Sequence, residues 1–382
     1  MKAKRMLASL ISAMMIFTLT PQMALGVSDG DALAPSAAAA GSVNTAAPTM
    51  PQSATTIQEP VAAQPSNGQR SGNTTTTSSE PASAPLIMTA AAVSNENIGS
   101  GNITCDKPGM LYRISGTSKN NHITVKGGTS SDPVLVDLNG VDIDLHDGHD
   151  DGDSIEASPL TVENGYAIIY IGKDSRSKNT LYGGNDTGAF EKNGGYAGIS
   201  IAYDAHVTIS GTGTLYTTGG GVEFGAAGIG GNYNNASNNI VIDGSMTIHA
   251  QGGPSAPGIG SGRDGQLSGI TINNGTIYAN GGSYAPGIGA GEKVGAKDGG
   301  KGHNIIINGG NITAKGGKKG AGIGGSNDGD CDNITINGGT VSASGGSGGA
   351  GIGGGCDAYM SLITINGGTI RATGGKIGRA HV

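Results

Sequence analysis

Between Ile334 and Ala343 apolar and polar side chains trade places almost step by step: Ile334-Thr335-Ile336, a break at Asn337-Gly338-Gly339, then Thr340-Val341-Ser342-Ala343. A period of two is the mark of a half-buried strand, with one side turned inward and the other to solvent. The Asn-Gly-Gly break supplies residues that accept a positive φ, so it predicts a turn between two short strands. A second corner at Gly345-Gly346 leads to Ala350-Gly351-Ile352-Gly353, which offers one more inward apolar residue. Helix is excluded. Gly costs about 1 kcal/mol against Ala at an interior helical position, and here it recurs every third or fourth place.

The phrase then repeats. ITINNGTIYANGG begins at Ile270, IIINGGNITAKGG at Ile305, ITINGGTVSASGG at Ile334 and ITINGGTIRATGG at Ile363, with looser copies at Val207 and Ile240. A unit that returns at a fixed interval is one supersecondary element stacked on itself. No single coil buries its own apolar side, so coils stack about 4.8 Å apart with like residues above like. The expected fold is therefore all-β, a right-handed parallel β-helix (β-solenoid) with coils of roughly 30 residues in the C-terminal part. Three internal ladders are predicted: Ile270, Ile305, Ile334 and Ile363; Ile272, Ile307, Ile336 and Ile365; and Ile259, Ile288, Ile323 and Ile352. Asn273, Asn308, Asn337 and Asn366 would share one bend, their amides bonded along the stack.

These strings, ITINGGT…GG…GAGIGG, resemble the glycine-rich repeats of bacterial cell-surface proteins classed as carbohydrate-binding-domain-containing, found largely in gut Gram-positive bacteria. The segments from His122, Ser158 and Tyr196 resemble the opening coils of the same proteins, so the likeness runs from about Asn102 to Gly375. It implies a solenoid on the cell surface, and no binding residue carries over from it.

The ends divide the chain further. Residues 1–26 read as a secretory signal: Lys2, Lys4 and Arg5, an apolar stretch from Met6 to Leu19, and a small-x-small site at Ala24-Leu25-Gly26. Residues 27–97, rich in Ala, Ser, Thr and Pro, are expected to form a disordered linker. Residues 98–206 read as irregular N-terminal coils and residues 207–375 as the glycine-rich repeat coils. The closing residues 376–382, KIGRAHV, break off the sixth copy where its GIG corner is due. A codon string that encodes them, followed by a stop, matches the start of a widely used sequencing adapter, so the natural chain is expected to continue past Gly375.

Composition narrows the chemistry. The net charge is −7, with the acidic excess upstream of Ile240 because Ile240 to Gly375 is balanced, and no basic patch suits a phosphate backbone, so nucleic acid is not an expected partner. With no Trp and only 4% aromatic residues, the core must be built from Ile, Val, Leu and Ala. Cys105, Cys331 and Cys356 make an odd number; isolated thiols are expected, with a Cys331–Cys356 bridge between successive coils as the alternative.

The densest polar cluster runs from Asp142 to Asp153, followed by Glu156. Asp147, Asp151 and Asp153 are candidate calcium ligands, because carboxylates grouped around glycines supply hard oxygen donors. His149 stands where an oxygen is wanted and Ser158 where a Glu is wanted, so a solvated acidic insertion is the competing reading. Asp150-Asp151 is the one carboxylate doublet that could serve a polysaccharide-degrading hydrolase or lyase; Asp264, Glu292, Asp328 and Asp357 fall in variable loops. Sugar rings stack on aromatic faces, which makes Tyr216, Tyr278 and Tyr284 candidates, with Tyr233 and Tyr359 in loops. The functional expectation is an exported, non-catalytic surface rod with glycans or cell-wall polysaccharide as partners. The rival is the β-helix enzyme.

Overall fold

The computed structural model describes residues 90, 92–146, 155–172, 178–185, 194–295 and 299–375, all within one compact unit, Thr77–Val382. It is a parallel β-helix. Among the described residues every pairing between strands is parallel, and the strands fall into a sheet of 17 and a sheet of 9.

Each repeat coil contributes three strands, one to each side of the solenoid. The first face takes Ile240–Ile242, Ile270–Ile272, Gly302–Ile307, Cys331–Ile336 and Ile363–Ile365. The second takes Thr214–Thr218, Thr247–Gln251, Thr276–Asn280, Asn311–Lys315, Thr340–Ser344 and Thr369–Thr373. These two faces form the wide sheet. The narrow sheet is the third face, built in the repeat coils from two-residue strands such as Ile259–Gly260 and Ile288–Gly289.

All three predicted isoleucine ladders form in register. Ile270 pairs with Ile305, Ile305 with Ile334 and Ile334 with Ile363, and the series through Ile272 and Ile259 run the same way. Their members are fully buried through Ile336. Ile365 occupies its predicted place in register, yet it is 53% exposed because no described coil covers it. Coil length varies without disturbing the ladders, since the extra residues between Ile270 and Ile305 fall between the strands Ile288–Gly289 and Gly302–Ile307.

The glycines of the third face are required by close packing. At Gly260, φ is +147° and an added Cβ would lie 1.8 Å from the Gly289 carbonyl oxygen, a contact that no side chain survives. The asparagine row bonds as expected: Asn308 Nδ2 donates to Asn273 Oδ1 at 2.8 Å, Asn337 to Asn308 at 2.8 Å, and Asn366 to Asn337 at 2.7 Å.

The N-terminal coils are less regular. Val134–Asp144 runs across the first and second faces as one eleven-residue strand. Where it bends at Gly140, the buried Asn179 accepts from the Gly140 and Val141 N–H groups through Oδ1, both at 3.0 Å, so the broken ladder leaves no orphan donor there. The first strand, Ala92–Asn97, pairs with Met110–Ser118. The solenoid thus begins inside the stretch read from sequence as a linker ending at 97. Its polar side chains hide a strand held by backbone bonds, with only Ser94 and Glu96, on one side, partly covered.

Candidate functional site

Outward positions of the second face follow from the alternation that buries Leu215, Ile248, Ile277, Ile312 and Val341. The central outward row reads Tyr216, His249, Tyr278, Thr313, Ser342 and Arg371. The rows flanking it carry Thr214, Thr247, Thr276 and Asn311 on one side and Thr218, Gln251, Asn280 and Lys315 on the other. The surface is therefore flat, mostly uncharged and dense in hydroxyl and amide groups.

Three rings of the central row stack along the solenoid. Tyr216 and His249 lie 4.5 Å apart at 3°, and His249 and Tyr278 lie 4.8 Å apart at 11°. The Lys178 ammonium sits 5.2 Å from the Tyr216 centroid. A parallel stack at the coil spacing consumes ring faces, because each ring covers its neighbour. Lys178 lies over Tyr216 at one end, so the open ring face is that of Tyr278 on the Thr313 side, where the short Thr leaves the ring 39% exposed. Partial burial, and then the Lys178 charge, hold His249 below the ordinary imidazole value, favouring the neutral ring that packs between the tyrosines.

At the N-terminal end of the same face lies a cavity of about 260 Å³ lined by Asp144, His146, Tyr182, Gly183 and Thr218–Gly221. Register explains its place: Asp144 pairs with Tyr182 and Tyr182 with Thr218, so the pocket continues an outward row beside the ring stack. A second stack, Tyr166 on His206 at 4.3 Å and 5°, borders a groove on the first face.

The other tyrosine candidates do not join the row. Tyr233 packs on Phe224 at 5.1 Å, Tyr284 faces the Lys319 ammonium at 5.5 Å, and Tyr359 is 82% exposed in its loop. The calcium candidates Asp147, Asp151 and Asp153, and the doublet Asp150-Asp151, lie outside the described residues. Among the described residues no group of three His, Cys, Asp or Glu side chains is placed to hold a metal ion. The carboxylates of the variable loops have a different role from that of a groove. Asp264 and Glu292 are buried beside Arg263, whose Nε is 3.6 Å from Glu292 Oε2 and 4.0 Å from Asp264 Oδ2. The three cysteines are unpaired.

Sequence reasoning passed over His249, which shares the register position of Tyr216 and Tyr278. The signal was its planar ring at the same register position; residue identity was weighed where shape decides the stacking. The contact between Asn185 and His146 has no local sign in the sequence, because it spans 39 residues and rests on coil stacking.

A family model described as a β-helix repeat matches residues 207–233, 240–263, 270–292, 305–327, 334–356 and 363–380. The C-terminal coils are similar to that repeat, copy for copy with the strings beginning at Val207, Ile240, Ile270, Ile305, Ile334 and Ile363. No curated protein and no solved structure matches the chain. Among the described residues no helix is long and apolar enough to cross a membrane.

Proposed function

We propose that this chain is an exported, non-catalytic surface rod whose second face binds glycans. The observation that carries the reading is the stack of Tyr216, His249 and Tyr278 set among Thr, Asn and Gln side chains. Saccharides need an apolar ring face for their C–H groups and nearby donors and acceptors for their hydroxyls, and this face supplies both. The signal-like residues 1–26 and the likeness of the repeats to those of bacterial surface proteins support export.

The polysaccharide-degrading alternative rests on Asp150 and Asp151. Those two residues lie outside the described ones. We favour binding without turnover on the ring stack and the hydroxyl and amide groups around it.

The test is a glycan array probed with the purified full chain and with Tyr216→Ala and Tyr278→Ala. Retention of a defined glycan set by the parent, weakened in both variants, is the expected result. A parent that retains no glycan overturns the reading. Release of reducing or unsaturated sugar from a retained glycan, abolished by Asp150→Asn, would replace binding with catalysis.

A further inference from the structure

The pocket beside the ring stack has its hydrogen-bonding polarity fixed from outside. Gly221 N–H donates to Asn185 Oδ1 at 2.5 Å, which assigns that end of the amide as oxygen. The other end, Nδ2, then donates to His146 Nδ1 at 3.0 Å. His146 Nδ1 is thereby an acceptor, and the ring proton sits on Nε2. Asp144 accepts the His146 backbone N–H through Oδ1 at 3.1 Å. Its second oxygen has no other partner among the described residues.

The floor is bare backbone for a reason visible in the packing. A Cβ at Gly219 would meet the Ala226 carbonyl oxygen at 2.0 Å, and one at Gly220 would meet that of Gly184 at 2.1 Å. Side chains are excluded from the floor, and the cavity stays open. The result is a recess with a fixed acceptor (Asp144), a fixed donor (His146 Nε2–H) and the phenol ring of Tyr182, itself 36% exposed. A volume of about 260 Å³ falls below the roughly 300–1,000 Å³ of sites for drug-sized ligands. One ring is the fitting occupant.

The geometry points to a subsite for a single neutral sugar unit in this pocket, with Asn185 as the positioning residue that sets the polarity of His146. One hydroxyl donates to Asp144, an adjacent hydroxyl accepts from His146 Nε2–H, and the C–H face of the sugar lies on Tyr182. Asp142 and Asp144, both on this end of the face, disfavour an anionic sugar. The inference rests on the glycan-binding reading and names the class of unit that reading takes.

The experiment measures calorimetric affinity of the full chain for a glycan retained on the array. It compares the parent with Asp144→Asn, Asn185→Leu, His146→Ala and the pair Tyr216→Ala and Tyr278→Ala. Circular dichroism checks that each variant keeps its β signature, and His146→Ala substitutes if Asn185→Leu fails to fold. Neutral ligands should weaken about tenfold or more in Asp144→Asn and Asn185→Leu, the factor attached to losing one hydrogen bond of a well-placed polar pair. A deoxy analogue lacking the hydroxyl that meets Asp144 should lose as much against the parent, and lose nothing further against Asp144→Asn. Unchanged affinity in Asp144→Asn and Asn185→Leu, with loss only in the tyrosine variants, would leave glycan binding on the stack and remove the pocket from it. Preference for acidic over neutral sugars would also overturn the subsite. No glycan bound by the parent would bring down the reading and the subsite together.

Discussion

The cysteines of the chain sit in two kinds of thiol environment, and reactivity should follow them. Cys105 and Cys331 are fully buried in the core. Burial first, then neighbouring carboxylates, push the Cys331 thiol up to about 12, and Cys105 is raised further for the same kind of reason. Cys356 is partly exposed, but its thiol donates to Asp357 Oδ2 at 3.2 Å, and that bond is the leading cause holding it protonated. Since the thiolate is the nucleophile, all three should be sluggish at neutral pH. In the native chain, iodoacetamide should label Cys356 alone, slowly, at a rate that climbs with pH. Asp357→Ala, which removes both the acceptor and the charge, should speed that labelling. Cys105 and Cys331 should react only after denaturation, as peptide mapping by mass spectrometry would reveal. Labelling of Cys331 at the rate of Cys356 in the native state would contradict its placement in the core. Isolated thiols were the expectation drawn from the odd count, whereas the Asp357 contact was not legible, because it depends on a side-chain torsion.

At the scale of the strand, two ladders run side by side and should differ sharply in energetic weight. Ile307 lies fully buried between Ile272 and Ile336, and a buried Ile→Ala change typically costs about 2–5 kcal/mol. Asn337 sits on the exposed edge with one amide bond to Asn308 and one from Asn366. Each such bond contributes about 1 kcal/mol net, and water can replace both. Ile307→Ala should therefore lower the urea midpoint well beyond Asn337→Ala; comparable losses would mean that the amide ladder, not the apolar core, holds adjacent coils. The same contrast explains what the sequence could disclose. The isoleucine ladders, the Asn row and the three-strand coil follow from period and glycine spacing, so they were visible in residues 240–375. The strand at Ala92–Asn97 was hidden because its partner, Met110–Ser118, lies across a whole coil and its own composition is polar. The pocket of Asp144, His146 and Tyr182 was hidden likewise. It is made by stacking three non-consecutive strands that carry no shared motif.

Across the whole molecule, coils of unequal length must still stack in register, and the third corner has a device that ties four of them together. The Arg263 guanidinium lies 4.2 Å from the Phe224 ring centroid and beside Glu292. Glu292 Oε1 accepts from Asn327 Nδ2 at 2.9 Å, and Asn327 Oδ1 accepts from Lys319 at 3.3 Å. Arg263 and Glu292 side chains are 11% and 9% exposed. Removing one partner of a buried pair costs about 3–5 kcal/mol, because a charge is left without compensation, while replacing both with apolar residues is often neutral. Asp264 stays 4.0 Å from Arg263, which places Glu292→Ala toward the low end of that range. In a solenoid each coil answers chiefly to its neighbours, so the damage should be local. Hydrogen exchange on Glu292→Ala should show faster opening of the strands Thr247–Gln251 and Thr276–Asn280, with Thr340–Ser344 close to the parent rate. Arg263→Met combined with Glu292→Met should restore most of the protection. Uniform acceleration along every coil would show instead that the molecule opens as one cooperative block, and that the charged column sets global stability, not local register.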